Sequence, residues 1–485
     1  LTIVCRLLLF FLACSPVSAS FAAKRGVKSE RAALPASIGQ AARSAAIPLS
    51  SVGIYVQEVG AKKPFLKLNE QQAFNPASTM KLLTTDAALH LLGPSYSWKT
   101  QIYGRGNLQG DVWQGDLIIK GSLDPKLVLE NFWLLLRQLR AKGIRQINGN
   151  LLLDRSIAPE LANTVNDAAE FDNAAIKAYN VLPDALLLNY KSLRLQFRPD
   201  ASRQVVQVSI EPAPPSVQLG SLRLSNANCD EWRDDLALQT RGDAANMSLQ
   251  FGGSYAASCG PRTWDIHPYW MSADAYFAAL FQPIWQELGG SLKGEVKAGI
   301  VGEDASLLME WQSPPLAEVV RDINKFSNNV MARQLLLTLG SGDGKPASYA
   351  RGAARIQQWL LDQGLAATEL QIENGSGLSR NERIAARSMS RLLLAAYASP
   401  VMPDLIASLP IVGVDGTMRN RLKQSPVAGH AHIKTGTLND VRAIAGYVLA
   451  ASGKRYVLVA FVNHARAKES RAMLDQLIEW VYLRG

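Results

Sequence analysis

The 485-residue sequence predicts an α+β protein. Three observations carry that expectation. Apolar runs with helix caps and stops occur at 76–89, 313–325 and 330–339. Two strand patterns, 443–449 and 456–462, flank the turn Ser452-Gly453-Lys454. Between Pro94 and Trp264 the pattern changes to short alternating segments, such as Val205-Val206-Gln207-Val208-Ser209-Ile210 and Ser221-Leu222-Arg223-Leu224. Pro212-Ala213-Pro214-Pro215 and Gly252-Gly253 punctuate that region.

The first helical pattern opens with Asn75-Pro76-Ala77-Ser78-Thr79-Met80-Lys81. Asparagine is a good N-cap and proline is favoured at the first helical position. Ser78 is then expected in the first turn, where its N–H has no intrahelical partner and is free to bind an oxyanion. The positive end of the helix dipole favours an alkoxide there. Residues three apart share a helix face, so Lys81 reaches the Ser78 hydroxyl. Lys81 acts as a base only when neutral, which requires burial and a second cation nearby. Alone, Ser-x-x-Lys occurs by chance in many long chains, where it reads as a capped surface helix.

Two further patterns follow in order. Phe326-Ser327-Asn328-Asn329 sits between the helical patterns 313–325 and 330–339, a short joint from which the Ser327 hydroxyl can project. His432-Ile433-Lys434-Thr435-Gly436-Thr437 precedes the strand at 443–449. Glycine in a strand admits another backbone closely, so Gly436 suits an extended peptide lying along a sheet edge. The order Ser-x-x-Lys, Ser-x-Asn, Lys-Thr-Gly is that of the penicillin-recognising serine acyltransferases.

With these motifs the chain resembles the type-4 penicillin-binding proteins, D-alanyl-D-alanine carboxypeptidases and endopeptidases of the bacterial cell wall. The resemblance covers nearly all of the chain after the leader. It extends to Gly115-Asp116-Leu117-Ile118-Ile119-Lys120-Gly121-Ser122, Tyr179-Asn180-Val181-Leu182-Pro183-Asp184-Ala185-Leu186, Asn374-Gly375-Ser376-Gly377-Leu378-Ser379-Arg380 and Gly413-Val414-Asp415-Gly416-Thr417-Met418. Asn374 stands where aspartate is expected, a departure read as remote from the chemistry. The resemblance implies an antiparallel sheet covered by helices, with strands at 51–59 and 443–462 and a C-terminal helix at 468–482 on one face. It implies Ser78 as nucleophile, Lys81 as general base, and Ser327 with Lys434 as the proton route to the departing amine. Asn329 is expected to bind the substrate amide and restrain Lys81. The N–H groups of Ser78 and Thr437 form the oxyanion hole, and Lys434, Thr435, Gly436 and Thr437 receive the peptide tail and its carboxylate. Asp154 resembles a family aspartate that holds the ammonium of the substrate's diamino acid. The implied substrates are peptidoglycan peptides, β-lactams are covalent inhibitors, and no cofactor or metal is expected.

Ser78 and Ser327 lie roughly 250 positions apart, leaving roughly 170 residues more than a compact acyltransferase needs, a domain's worth of chain. The expected organisation is a catalytic domain from 24–93 and 265–485 and an inserted β-rich region at 94–264. Helical patterns at 127–142 and 272–288 accompany it. Cys229 and Cys259 both fall in the insertion; an oxidising compartment favours a disulfide between them, and two reduced thiols are the alternative.

The N-terminus reads as a signal peptide over 1–19. Arg6 precedes the apolar run 7–13, and Val17-Ser18-Ala19 is a cleavage pattern. The apolar run is too short to span a bilayer. Cys14 in Phe11-Leu12-Ala13-Cys14 gives a lipoprotein alternative. The expected location is the periplasm. Net charge is +10, and a basic segment with Lys24, Arg25, Lys28, Arg31 and Arg43 admits peripheral contact with anionic membranes; a solvated leader is the plainer reading. The export signal and the lack of an aromatic-basic module argue against nucleic acid. His430 and His432, without an accompanying carboxylate motif, read as strand residues rather than metal ligands. No Gly-x-Ser-x-Gly, P-loop or His-Glu-x-x-His occurs. A serine β-lactamase shares the three motifs, but Thr368-Glu369-Leu370-Gln371 only loosely echoes a deacylation segment. A non-catalytic wall-binding protein has no need of all six of Ser78, Lys81, Ser327, Asn329, Lys434 and Thr435.

Overall fold

The computed structural model describes residues 34–163, 171–243 and 246–485. The leader expected at 1–19, Cys14 and the basic residues at 24–31 lie outside the described residues, while Arg43 is in the helix Ala36–Ser44. A five-stranded antiparallel sheet runs in the order Leu66–Leu68, Val52–Glu58, Arg455–Asn463, Val441–Leu449, Ala431–Leu438. Its central strand shows why these segments pair. Val457, Val459 and Phe461 enter one hydrophobic core, while Leu458, Ala460 and Val462 enter another. Period-2 alternation in a wholly apolar run gives a strand buried on both faces. Ala36–Ser44 and the C-terminal helix Arg471–Arg484 cover the second face. Ala431–Leu438 is the sheet's edge; Pro410 and Val412 bond its first residues, and the outer side of 434–438 pairs with no other strand among the described residues.

The helices Met80–Leu92, Leu316–Phe326, Asn329–Leu339 and Ala386–Tyr397 cover the first face. Met80 through Leu89 is buried all round, which is what an apolar helix without a polar stripe requires. Helix Leu316–Phe326 ends at Ser327 in the left-handed region, φ 58°. Asn328 then caps the next helix, accepting the Met331 N–H at 3.1 Å. The predicted joint between helices is therefore a single turn.

The inserted region is larger than expected. A seven-stranded sheet contains Lys99–Gln109, Val112–Lys120, Gln146–Ile147 and Leu151–Asp154, and also Ser291–Leu292, Val296–Ala298 and Ser306–Gln312. Helix Ala273–Glu287, predicted at 272–288, packs in the same core as helix Leu129–Ala141. Strand pairing thus carries the insertion to Gln312, past the expected boundary at Trp264. The late strands contain two, three and seven residues, and the two shortest leave no periodic trace in the sequence. A further five-stranded sheet holds Leu193–Asp200 and Val205–Glu211, and a three-stranded one holds Met247–Phe251. Cys229 and Cys259 are joined in this part, with Cα atoms 5.0 Å apart.

Candidate active site

The chain enters the site through Asn75. The expected N-cap is displaced: the α-helix starts at Met80, and Ala77–Thr79 forms a single 3-10 turn before it. Asn75 Oδ1 accepts the Ala77 N–H at 2.9 Å, which folds the chain into that turn. Ala77 has φ 44°, a conformation alanine adopts only under constraint. Two glycines press on it. A Cβ on Gly377, itself at φ 78°, would lie 1.9 Å from Ala77 O. One on Gly436 would lie 2.7 Å from Pro76 O and 3.0 Å from Ala77 Cβ. The Lys-Thr-Gly edge strand therefore lies against the serine turn, and its next residue, Thr437, is exposed.

Lys81 is fully buried. Its Nζ is 3.0 Å from Ser78 Oγ and 2.7 Å from Asn329 Oδ1, and it also donates to the Ser376 carbonyl. Burial pushes its pKa well below the ordinary lysine range, and the nearby Lys434 and Arg333 charges push the same way against an opposing pull from Glu382. A neutral amine has two N–H bonds and one lone pair. Asn329 and Ser376 accept both N–H bonds, so the lone pair is left for the Ser78 hydroxyl proton.

Lys434 is also fully buried, and its Nζ donates to Ser327 Oγ and to Thr435 O, each at 2.8 Å. Burial brings its pKa down to about 7. The left-handed backbone at Ser327 aims this hydroxyl at the strand. Ser78, Lys81 and Asn329 form one directly bonded group, and Ser327 and Lys434 form a second. The two are linked because Asn329 follows Ser327 by two positions, and the Lys434 charge helps to keep Lys81 neutral. Thr435 Oγ1 donates to Thr417 Oγ1 at 2.8 Å.

Three participants carried no assigned role in the sequence reading. Ser376 supplies a backbone oxygen to Lys81. Thr417 pairs with Thr435. Glu382, fully buried, holds the loop that carries Ser376: its Oε1 accepts the N–H groups of Glu373, Asn374 and Gly375 at 3.2, 3.0 and 2.8 Å, and its Oε2 accepts that of Gly377 at 2.9 Å. Burial raises the Glu382 pKa, and these N–H donors and Lys81 pull it back. Asn374 is nearer the chemistry than expected. Its Oδ1 accepts from Ser376 N and Oγ, and its Nδ2 donates to Leu378 O at 2.9 Å, a bond that an aspartate cannot make. The two quoted motifs containing Ser376 and Thr417 were the available signal; nothing in the sequence marks Glu382.

Asp154 is corrected. It is 2% exposed, and its two carboxylate oxygens accept the backbone N–H groups of Ser156 and Val301 at 2.8 and 2.9 Å. Those bonds fasten the end of its strand and leave the carboxylate shut off from a substrate ammonium. The insertion instead reaches the site through its backbone at 179–184. Asn329 Nδ2 donates to Tyr179 O at 3.2 Å, Arg333 Nη1 to Val181 O at 3.4 Å, and Gln334 Nε2 to Asp184 O at 2.8 Å. One face of helix Asn329–Leu339 thus staples this wall in place. Gly436 lines the serine turn; Cys229 and Cys259 take no part in any of these bonds.

The D-Ala-D-Ala carboxypeptidase 3 (S13) family matches residues 34–482. The D-alanyl-D-alanine carboxypeptidase DacB of Haemophilus influenzae is 26% identical over 452 residues, 89% of this chain and 90% of that protein. A D-alanyl-D-alanine carboxypeptidase of Actinomadura sp. is 27% identical over 430 residues, 83% of this chain and 76% of that one. The crystal structure of penicillin-binding protein 4 from Haemophilus influenzae superposes with a TM-score of 0.72 at 23% identity, covering 91% of this chain and 99% of that one. The same protein complexed with a β-lactam gives 0.70 at 25% identity, over 92% and 98% of the two chains.

Proposed function

The chain belongs to the D-Ala-D-Ala carboxypeptidase 3 (S13) family, is a serine-type D-alanyl-D-alanine carboxypeptidase, and from that premise we propose how its residues divide the work. Neutral Lys81 takes the Ser78 proton as Oγ attacks the carbonyl of the penultimate D-alanine. The N–H groups of Ser78 and Thr437 receive the oxyanion, each worth about 3–4 kcal/mol of barrier. Ser327, backed by Lys434, passes a proton to the departing D-alanine amine. Water then releases the acyl group. Thr435, joined to Thr417, and the cation of Lys434 receive the terminal carboxylate, and the open side of the edge strand at 434–438 takes the extended peptide. The substrates are peptidoglycan stem peptides. Cross-links differ only in a longer departing amine, so endopeptidase action needs no further catalytic group. β-Lactams acylate the same serine, and their leaving nitrogen stays tethered. A wall substrate supports the periplasmic location that we propose.

The observation that carries this reading is the buried Lys81 amine, which reaches Ser78 Oγ at 3.0 Å with its other partners already supplied by Asn329 and Ser376. Labelling with fluorescent penicillin tests it. The wild-type protein takes up one stable covalent label and releases D-alanine from a D-Ala-D-Ala peptide; Ser78→Ala does neither. A label that survives Ser78→Ala overturns the nucleophile assignment, and rapid release of opened penicillin from the wild type favours a β-lactamase instead.

A further inference from the structure

We propose that a cavity in the inserted region, separate from the serine–lysine cleft, binds an amphipathic ligand consisting of an alkyl chain that ends in a carboxylate. The cavity has a volume of about 1420 Å³, ample for a small organic ligand. Leu153, Leu182, Leu186, Leu188, Met271 and Tyr276 supply much of its apolar lining. Ser78, Lys81, Ser327, Asn329 and Lys434 do not line it.

The polar groups in this lining are out of balance. Arg155 Nη2, Trp270 Nε1 and His267 Nε2 are buried and have no hydrogen-bond partner. Folded proteins rarely leave such atoms unmet, and three around one cavity call for an explanation. Arg155 spends its Nε on Asp184 at 2.8 Å and its Nη1 on Asp274 at 2.6 Å, which leaves Nη2 over. His267 is 4% exposed, and its Nδ1 lies 3.1 Å from Ala175 O. A carbonyl partner requires the proton on Nδ1, so Nε2 presents a bare lone pair. Burial holds this ring neutral, with a pKa of about 3. Lys191 also lines the cavity, and no hydrogen bond or ion pair reaches its ammonium among the described residues. It closes a left-handed run, Asn189, Tyr190 and Lys191, at φ 46°, 53° and 42°. Consecutive non-glycine residues in that conformation are strained, and such strain gathers at binding sites.

Three unmet donors therefore stand against one unmet acceptor. A head group rich in acceptors with at most one proton fits that set, and a carboxyl group is the simplest such head. The leucine-rich lining suits an unbranched alkyl body rather than a polar peptide.

The test uses the full chain with Ser78 first blocked by benzylpenicillin, and dansylaminoundecanoic acid as probe. Saturable uptake of one equivalent, displaced by dodecanoate and not by dodecylamine, is expected. Lys191→Met and Trp270→Phe should each weaken the probe about five- to tenfold, the size of one lost hydrogen bond, while fluorescent penicillin labels both variants like the wild type. That labelling shows the variants are folded. The proposal is overturned if uptake is absent or non-saturable, if dodecylamine displaces as well as dodecanoate, if both variants bind as the wild type does, or if an alanine-terminated peptide displaces the probe and dodecanoate does not.

Discussion

Lys81 is an amine held where a charge is costly, and most of the site can be understood as the means of keeping it there. Its helix is buried on every side from Met80 to Leu89, and Lys81 with it, so a charge on the amine is poorly solvated. Lys434 adds a second positive charge, and its own pKa lies near 7. The sign of the pH dependence follows. A base must be neutral, so acylation rises with pH as Lys81 loses its proton, and that rise is complete well below the ordinary lysine value of 10.5. The Ser327–Lys434 pair must deliver a proton, so the rate falls again once Lys434 is neutral. The expected profile for acylation by penicillin is a bell whose rising limb lies well below the ordinary lysine range and whose falling limb centres near pH 7, the two apparent values belonging to the lysine pair jointly. Stopped-flow acylation across both limbs checks it; a single rise centred near the free lysine value would contradict the neutral-base assignment.

At the scale of elements, the loop 373–382 matters as much as any helix. Four backbone N–H groups converge on the Glu382 carboxylate, and the resulting turn presents Ser376 O to Lys81. In Glu382→Gln an amide NH2 faces at least one of those donors. The loop should lose about 1–3 kcal/mol, and a Ser376 carbonyl displaced by about 1 Å should slow acylation about 10²-fold. Thermal melts and penicillin acylation rates read the two effects separately. A variant that melts earlier yet acylates normally would remove the loop from the site. The same loop shows where the sequence was legible. Ser78, Lys81, Ser327, Asn329 and Lys434 were readable because local spacing fixes the reach of each: three along a helix, two across a turn, alternation on a strand. Glu382 was not, because its role depends on four backbone N–H groups gathered only by folding, within a run of polar residues that otherwise resembles surface. The start of the serine helix was misplaced by the same limit: Ala77 takes φ 44° under pressure from Gly377 and Gly436, residues far off in the chain. Asp154 was misread because the Val301 N–H that occupies it comes from 147 positions away.

Over the whole molecule, the two ends of the described chain build one sheet and its middle builds the others, so the catalytic groups depend on how the insertion is fastened. The seam is specific. Lys126 pairs with Asp322, and the Asn329–Leu339 helix holds Tyr179, Val181 and Asp184 by their carbonyls. None of these bonds involves the segment between Cys229 and Cys259. The disulfide closes 30 positions there, and a loop of that length gains about 3–4 kcal/mol from closure. Replacing both cysteines by serine should therefore lower the first thermal transition seen by calorimetry, because the outer sheets of the insertion lose their cross-link. Penicillin acylation at room temperature should stay within about twofold of the wild type, since the seam and the Lys81 partners are untouched. Loss of acylation in that variant, while the protein remains folded by circular dichroism, would show that the outer sheets position the 179–184 wall, and the insertion would then belong to the catalytic machinery rather than beside it.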